Sequence, residues 1–215
     1  MTKLSAVLRC VAYSTSSNVA LQHNDNGGDH SFIMYDAQVV NNAADTYGKE
    51  KDTNPDVMTN FVATLKESIT GILSMELATD GCGYNYEISI VAAKKGYGPL
   101  LYDTALSVAK EDGMGVIPDR DGVTGPAQSV WEYYIRNRGD TVHERLPSTC
   151  PESDAHNPNM EHSFKIKSPI NYSIMKSLHS DVMETAKQAG IPNRLFRSYL
   201  NAHATSYFTK KYTST

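Results

Sequence analysis

Along the chain, short apolar runs alternate with helical stripes, the pattern of an α/β protein. Leu8 to Tyr13 reads as a first strand. Ser14 to Asp29 is polar, ends in Asn26-Gly27-Gly28-Asp29 and reads as a loop. Phe32 to Val40 is an apolar run of either type, and residues 41–53 are polar again. Asn54-Pro55 predicts a helix start, with Asn as cap and Pro at the first helical position. Met58, Phe61, Val62, Leu65 and Ile69 then share one face, and Gly71 closes the helix. Ile72 to Leu77 is a strand, Asp80-Gly81-Cys82-Gly83 a turn, and Tyr84 to Ala93 a strand entering the core. Lys94-Lys95-Gly96-Tyr97-Gly98 breaks the pattern. Pro99 opens a helix with Leu101, Ala105, Val108 and Ala109 on its face, ended by Gly113-Met114-Gly115. Val116-Ile117-Pro118 is a short strand, and Gly125-Pro126 starts a helix facing inward with Ala127, Val130, Trp131 and Tyr134. Leu146 to Pro158 reads as a long loop or linker. Ile174, Leu178, Val182 and Ala186 mark a helix ending at Gly190, and Pro192 to Tyr207 a second one.

Composition narrows the class. The chain has 215 residues, 40% of them apolar, enough for one core and too many for a disordered chain. No apolar run reaches the ~20 residues that span a bilayer. Arg9 interrupts the apolar start, so the first twelve residues read as mature sequence and not as a signal peptide. Cys10, Cys82 and Cys150 cannot all pair, and a chain of this length needs no disulfide staple, so a reducing, cytoplasmic setting is expected. The net charge of −4 is uneven. Residues 164–215 hold eight basic side chains against two acids, a net +6, which leaves −10 on residues 1–163. The basic segment interleaves Arg194, Arg197, Lys210 and Lys211 with Phe196, Tyr199, Tyr207, Phe208 and Tyr212. Three uses stay open for it: packing against the acidic body, docking on a protein or a second copy, and holding nucleic acid, which is the least expected.

Chemistry concentrates at residues 94–100. Glycines let the backbone turn and approach a ligand closely. The following helix presents N–H groups and the positive end of its dipole, which suit a pyrophosphate. Pro99 has no N–H, so the donors are Lys95, Gly96, Tyr97, Gly98 and Leu100, with charge from Lys94 and Lys95. Leu101 stands where a Rossmann fingerprint needs its third glycine, and no Gly-Lys-Ser/Thr is present for a Walker loop.

The segment Glu87-Ile88-Ser89-Ile90-Val91-Ala92-Ala93-Lys94-Lys95-Gly96-Tyr97-Gly98-Pro99-Leu100-Leu101-Tyr102-Asp103 resembles motif A of the GNAT acetyltransferases. More narrowly, it resembles the GNAT-like proteins encoded by tailed bacteriophages. Val116-Ile117-Pro118-Asp119-Arg120, Ala127 and Val130-Trp131-Glu132-Tyr133-Tyr134 are similar to the family's second motif, and the two matches span residues 72–145. The resemblance implies a GNAT-type mixed, splayed central sheet flanked by helices, as an acetyl-CoA-binding domain over residues 1–147. It does not reach the last fifty-odd residues: the polar pattern reads 148–170 as a loop or linker, and the helical stripes and charge read 171–215 as a basic helical C-terminal extension. Acetyl-CoA is the implied co-substrate; the residue spacings give no expectation of a metal, and the apolar runs none of a membrane partner. Its pantetheine arm would lie along Ile90, Val91 and Ala92, and its pyrophosphate on Lys94, Lys95, Gly96, Tyr97, Gly98 and Leu100. Ala93 departs from the family, which has Gln or Arg there.

Acetyl transfer to an amine needs a base for the amine's proton, a donor for the oxyanion and an acid for the thiolate. Glu87, just before the cofactor segment, is the expected base; a solvated strand-edge carboxylate is the alternative. Trp131 takes the slot of the family's acid tyrosine, so Tyr134, one turn on, is the expected acid; an aromatic core seam is the alternative. The implied function is phage-type N-acetyl transfer to an unidentified amine in the host cytoplasm. The alternative is a virion or assembly component that keeps the fold without the chemistry. Cys82 is weak as a nucleophile, His156 and His162 beside Cys150 match no closed zinc spacing, and Asp119-Arg120-Asp121-Gly122 reads as a turn.

Overall fold

The long apolar run that ends at Ala93 forms the middle strand of a seven-stranded sheet ordered β1-β2-β3-β4-β5-β7-β6. The computed structural model describes residues 18–78, 81–154 and 156–212, with the backbone alone at 205 and 207–212. Its strands are β1 (Val19–Asp25), β2 (His30–Asp36), β3 (Ile69–Leu77), β4 (Asn85–Ala93), β5 (Gly115–Ile117), β6 (Thr141–Arg145) and β7 (His162–Ile166). Its helices are α1 (Ala37–Glu50), α2 (Val57–Ser68), α3 (Gly98–Glu111), α4 (Gly125–Asn137), α5 (Ser173–Ala189) and α6 (Asn193–Tyr212). Strand β4 is parallel to β5, and β7 is antiparallel to both β5 and β6, so the sheet is mixed. Among the described residues no helix is long and apolar enough to cross a membrane. The expected strand at Leu8 to Tyr13 lies outside the described residues, as do Cys10 and the side chains of Tyr207, Phe208, Lys210, Lys211 and Tyr212.

Residues 24–31 and 73–171 form one compact unit; residues 18–23, 32–72 and 172–212 form the other. In the second unit, Asp36 caps α1 by accepting the Val39 N–H at 3.1 Å, so the ambiguous run 32–40 is a strand followed by a helix. Ala37, Val40 and Ala44 then supply an inward stripe that carries the helix into the polar stretch 41–53. Helix α1 approaches α5 closely: a Cβ added at Gly48 would sit 3.2 Å from the Ala189 Cβ. Gly190, at φ +99°, ends α5 as expected. The predicted stripe on α5 holds in its second half only: Val182 and Ala186 are buried, Leu178 is half-buried and Ile174 is exposed. A four-residue spacing drifts about 40° per step on an α-helix, so Met175 and Met183 complete the buried face. Phe196 of α6 is fully buried, 6.4 Å from Phe61 and 6.3 Å from Tyr35 between ring centres. Tyr35 also shares a 2.8 Å hydrogen bond with His179, whose imidazole burial holds down to about 4 and so neutral at pH 7.

Three boundaries differ from the expected ones. Val19–Asp25 is a strand inside the expected loop, because Gln22 is buried with its amide donating to Asn201 at 2.7 Å. Asn54 closes a turn on the Asp56 N–H at 3.0 Å, and the helix starts at Val57. Gly71 lies inside β3, because α2 passes into the strand at Ile69 without a loop.

In the first unit, α3 is buried from Leu100 to Ala109 on every side. Trp131 and Tyr134 of α4, each 1% exposed, pack with Tyr102 and Phe164 in one aromatic cluster, the seam weighed as the alternative to an acid. The segment 148–170 is not a plain linker. It contains a 3-10 turn, Pro158–Met160, and β7, whose Phe164 pairs with Val116 of β5. The expectation that no cysteine pair is needed is also corrected: Cys82 and Cys150 form a disulfide, 68 residues apart. Closing a loop of that length is worth about 4 kcal/mol in the chain-entropy treatment. Neither turn announces the other in the sequence; the sheet brings them together.

Because Phe196 fills the centre of the second unit, Phe196→Ala should lower unfolding free energy by about 3–5 kcal/mol. Urea denaturation reads this. A loss below about 1 kcal/mol would mean that α6 is an appendage and not part of a core.

Candidate functional site

Strand β5 is three residues long and β4 nine, and this mismatch makes the site. The register Asn85↔Gly115, Tyr86↔Val116, Glu87↔Ile117 exhausts β5. Ile88 to Ala93 of β4 run on beyond its end, where Pro118 brings no N–H to extend the pairing. Along this extension Ile88 and Ala92 are buried, while Ile90 and Val91 are half-buried.

The extension leads into the glycine turn. The Tyr97 N–H donates to Lys94 O at 3.1 Å, and Gly96 sits at φ +94°, where a side chain would strain the backbone. Lys94, Lys95 and Gly96 are exposed. Helix α3 then starts at Gly98 with Pro99 in its first turn and no acidic residue there. The N–H groups of Gly98 and Leu100 belong to that first turn, where a helix offers no acceptor of its own. A Cβ added at Gly98 would meet nothing within 4 Å. The protein's own packing therefore does not demand glycine at 98, and a first-turn N–H is the kind of donor that suits an anion. The expected pyrophosphate residues thus converge at one helix start, directly after the expected pantetheine residues.

Glu87 stands at the last paired position, where β4 leaves β5. Its Oε1 accepts the Arg120 N–H at 2.6 Å. Burial pushes its carboxyl up; the Arg120 N–H and charge oppose this, and Asp119 and Asp121 add to it. Asp119 is likewise raised by burial, while its Oδ1 accepts the Asp121 N–H at 2.9 Å and closes the expected turn. Arg120, only 7% exposed, is the residue that sequence reasoning missed. Its guanidinium donates to Pro151 O (3.1 and 2.7 Å), to Met160 O (2.8 Å) and to Glu161 (2.6 Å). An arginine inside a turn sequence gives no sign that it is buried; only the loop that returns over it does.

Tyr134 is bonded to α3, the helix that the glycine turn starts. Its hydroxyl donates to Asp103 at 2.6 Å, and Arg138 bonds the same carboxylate at 3.0 Å while lying 4.8 Å over the Tyr134 ring. Asp140 holds the other side of that guanidinium at 2.8 Å. Burial holds the Tyr134 hydroxyl well above its ordinary range. Its proton is held in the hydrogen bond to Asp103 and its ring is enclosed, so Tyr134 is committed to the seam between α4 and α3. Cys150, read beside His156 and His162, is engaged by Cys82.

A carboxyl raised by burial is a liability in its ionised form, so the sign of its effect on stability is fixed. Glu87→Gln keeps an acceptor for the Arg120 N–H and removes the charge. The variant should be more stable than the parent at pH 7, and the difference should vanish below the ordinary glutamate value of about 4.3. Thermal melts at pH 7 and at about pH 3.5 check this; a variant less stable at pH 7 contradicts it. Compared with known proteins, the chain matches no family model and no curated protein.

Proposed function

We propose that the protein binds acetyl-CoA on a GNAT-type splayed sheet and transfers the acetyl group to an amine. One observation carries the reading: β4 outruns β5 and delivers six residues into a glycine turn at the start of a helix. In the proposed complex Ile90, Val91 and Ala92 lie along the pantetheine arm. Lys94 to Gly98 and Leu100 hold the pyrophosphate through backbone donors, with Lys94 and Lys95 adding charge that salt screens. Ala93 offers no polar side chain where relatives of this type have one, so the backbone carries more of the binding. When bound, acetyl-CoA supplies an acetyl group activated as a thioester.

The chain's own part is proton handling. Glu87 takes the amine's proton on Oε2, the oxygen not bonded to Arg120. Its raised carboxyl makes it a better base near neutral pH than a fully solvated one. Tyr134 acts as scaffold, tying α4 to α3 through Asp103. The leaving thiol, near ~8.5, is protonated by water. The amine stays undefined, because its pocket would be built by loops.

Titration calorimetry tests the cofactor. Acetyl-CoA should bind below millimolar concentration. Gly98→Glu should fold normally, since its side chain enters open space and its charge suits a helix start. It should nevertheless bind acetyl-CoA more than about 100-fold more weakly, because a carboxylate then stands where the phosphates go. Equal affinity in the two proteins rejects the site.

One observation favours a second reading. The slot of the acid tyrosine is filled by Trp131, and Tyr134 is committed to Asp103, so the fold is compatible with a phage assembly or virion role without catalysis. That role requires the protein to copurify with particles. Peptide mass spectrometry of gradient-purified virions decides it, and absence there excludes it.

A further inference from the structure

We propose that the Cys82–Cys150 disulfide is a reversible redox latch on Glu87, and that Arg120 is the positioning residue through which it acts. The bond touches both segments that place this carboxylate. On one side, Asn85 opens β4 and donates its amide to Cys82 O at 2.6 Å, and Glu87 follows two residues later. On the other side, Cys150 is followed directly by Pro151, whose carbonyl takes two hydrogen bonds from the Arg120 guanidinium. Proline has a fixed φ, so a displacement of Cys150 is passed to that carbonyl and not absorbed between them. Arg120 in turn gives its backbone N–H to Glu87. The path from disulfide to carboxylate is therefore continuous: Cys150, Pro151, Arg120, Glu87.

The surroundings suit a latch. The two turns are docked tightly: Thr149 donates to Gly81 O at 2.8 Å, and a Cβ added at Gly81 would lie 2.7 Å from Thr149 O. Cys82 and Cys150 pack with Ile117, the last residue of β5, and with Leu146. Both sulfurs are buried, yet Gly81, Gly83, Ser148 and Thr149 around them are exposed, so a local opening of the turns admits a reductant. The second anchor of the loop is independent of the disulfide: Glu161 bonds both Arg120 and the Ser153 N–H, at 2.6 and 3.0 Å. The loop can therefore shift at Cys150 and Pro151 without being released altogether.

The chemistry is a two-electron exchange. A dithiol reductant breaks the S–S bond; two electrons and two protons pass to Cys82 and Cys150, and the reductant closes to its own disulfide. A small-molecule disulfide such as oxidised glutathione reverses this and leaves as two thiols. In a reducing compartment the pair stays as thiols until such an oxidant arrives.

The test needs no cofactor. Peptide mapping with a thiol label locates the bond, and carbon NMR of labelled glutamate follows Glu87, assigned through Glu87→Gln. The charged groups facing this carboxylate are Arg120, Asp119 and Asp121. Reduction draws Arg120 back and leaves the two acids, so the Glu87 midpoint should rise by at least about half a unit. Arg120→Lys should raise it with the disulfide intact. The Cys82→Ser/Cys150→Ser protein should match the reduced parent and ignore the redox state; if it fails to fold, the reduced parent alone decides. Cysteines 82 and 150 that remain labelled under oxidised glutathione, or a midpoint that is unchanged or lower on reduction, overturn the proposal. The consequence for acyl transfer rests on the acetyl-CoA reading. A protein that shows the shift but fails to bind acetyl-CoA refutes that reading and not the latch.

Discussion

A guanidinium cannot be taken out of water without a full set of acceptors, and Arg120 is almost completely out of water. An unpaired buried charge costs several kcal/mol, and removing one partner from a satisfied pair typically costs about 3–5 kcal/mol. The first unit meets this constraint by bringing the chain back over Arg120 at Pro151, Met160 and Glu161. That return explains several features together. It gives an otherwise polar, proline-rich segment a fixed path, and it sets Cys150 against Cys82. It leads into β7, which pairs with β5. It also leaves the Arg120 N–H pointing at Glu87. One charge thus organises both the loop and the position of the only carboxylate on β4.

The second organising fact is the shortness of β5. A longer β5 would pair with Ile88 to Ala93 and close the sheet. Instead the strand stops at Ile117, Pro118 blocks extension, and the chain turns through Asp119 into Arg120. The end of the β4–β5 pairing and the burial of Arg120 lie three residues apart on the same turn, so the proline that stops the strand also delivers the arginine under the returning loop.

The sequence makes visible whatever depends on local pattern. The β4 run, the Lys94 to Gly98 turn and the Pro99 helix are read correctly because alternation, glycine and proline act within a few residues. So is the close of α5 at Gly190. Elements held by distant partners are not visible. Strand β1 carries a buried Gln22 whose partner, Asn201, is 179 residues away, and β6 exists by its antiparallel pairing with β7. Thr141 to Arg145 carries no apolar alternation, because β6 is an edge strand with most of its side chains in water. The site divides in the same way. Glu87 and the glycine turn are legible; Arg120, Asp103 and the disulfide are not, since each acquires its role from a segment more than thirty residues away.

Glu87 and Asp103 show why a perturbed carboxyl is not itself a catalytic one. Both are raised by burial. Asp103 is answered from two sides, by the Tyr134 hydroxyl and the Arg138 guanidinium, and every donor it meets is itself anchored. Such a carboxylate has nowhere to send or receive a proton, and its role is to join α3 to α4. Glu87 has one backbone donor on one oxygen, two acids nearby, and the strand extension and glycine turn beyond it. Of the two, Asp103 is answered on both oxygens by side chains, whereas Glu87 is answered on one oxygen only, through the backbone of the buried arginine.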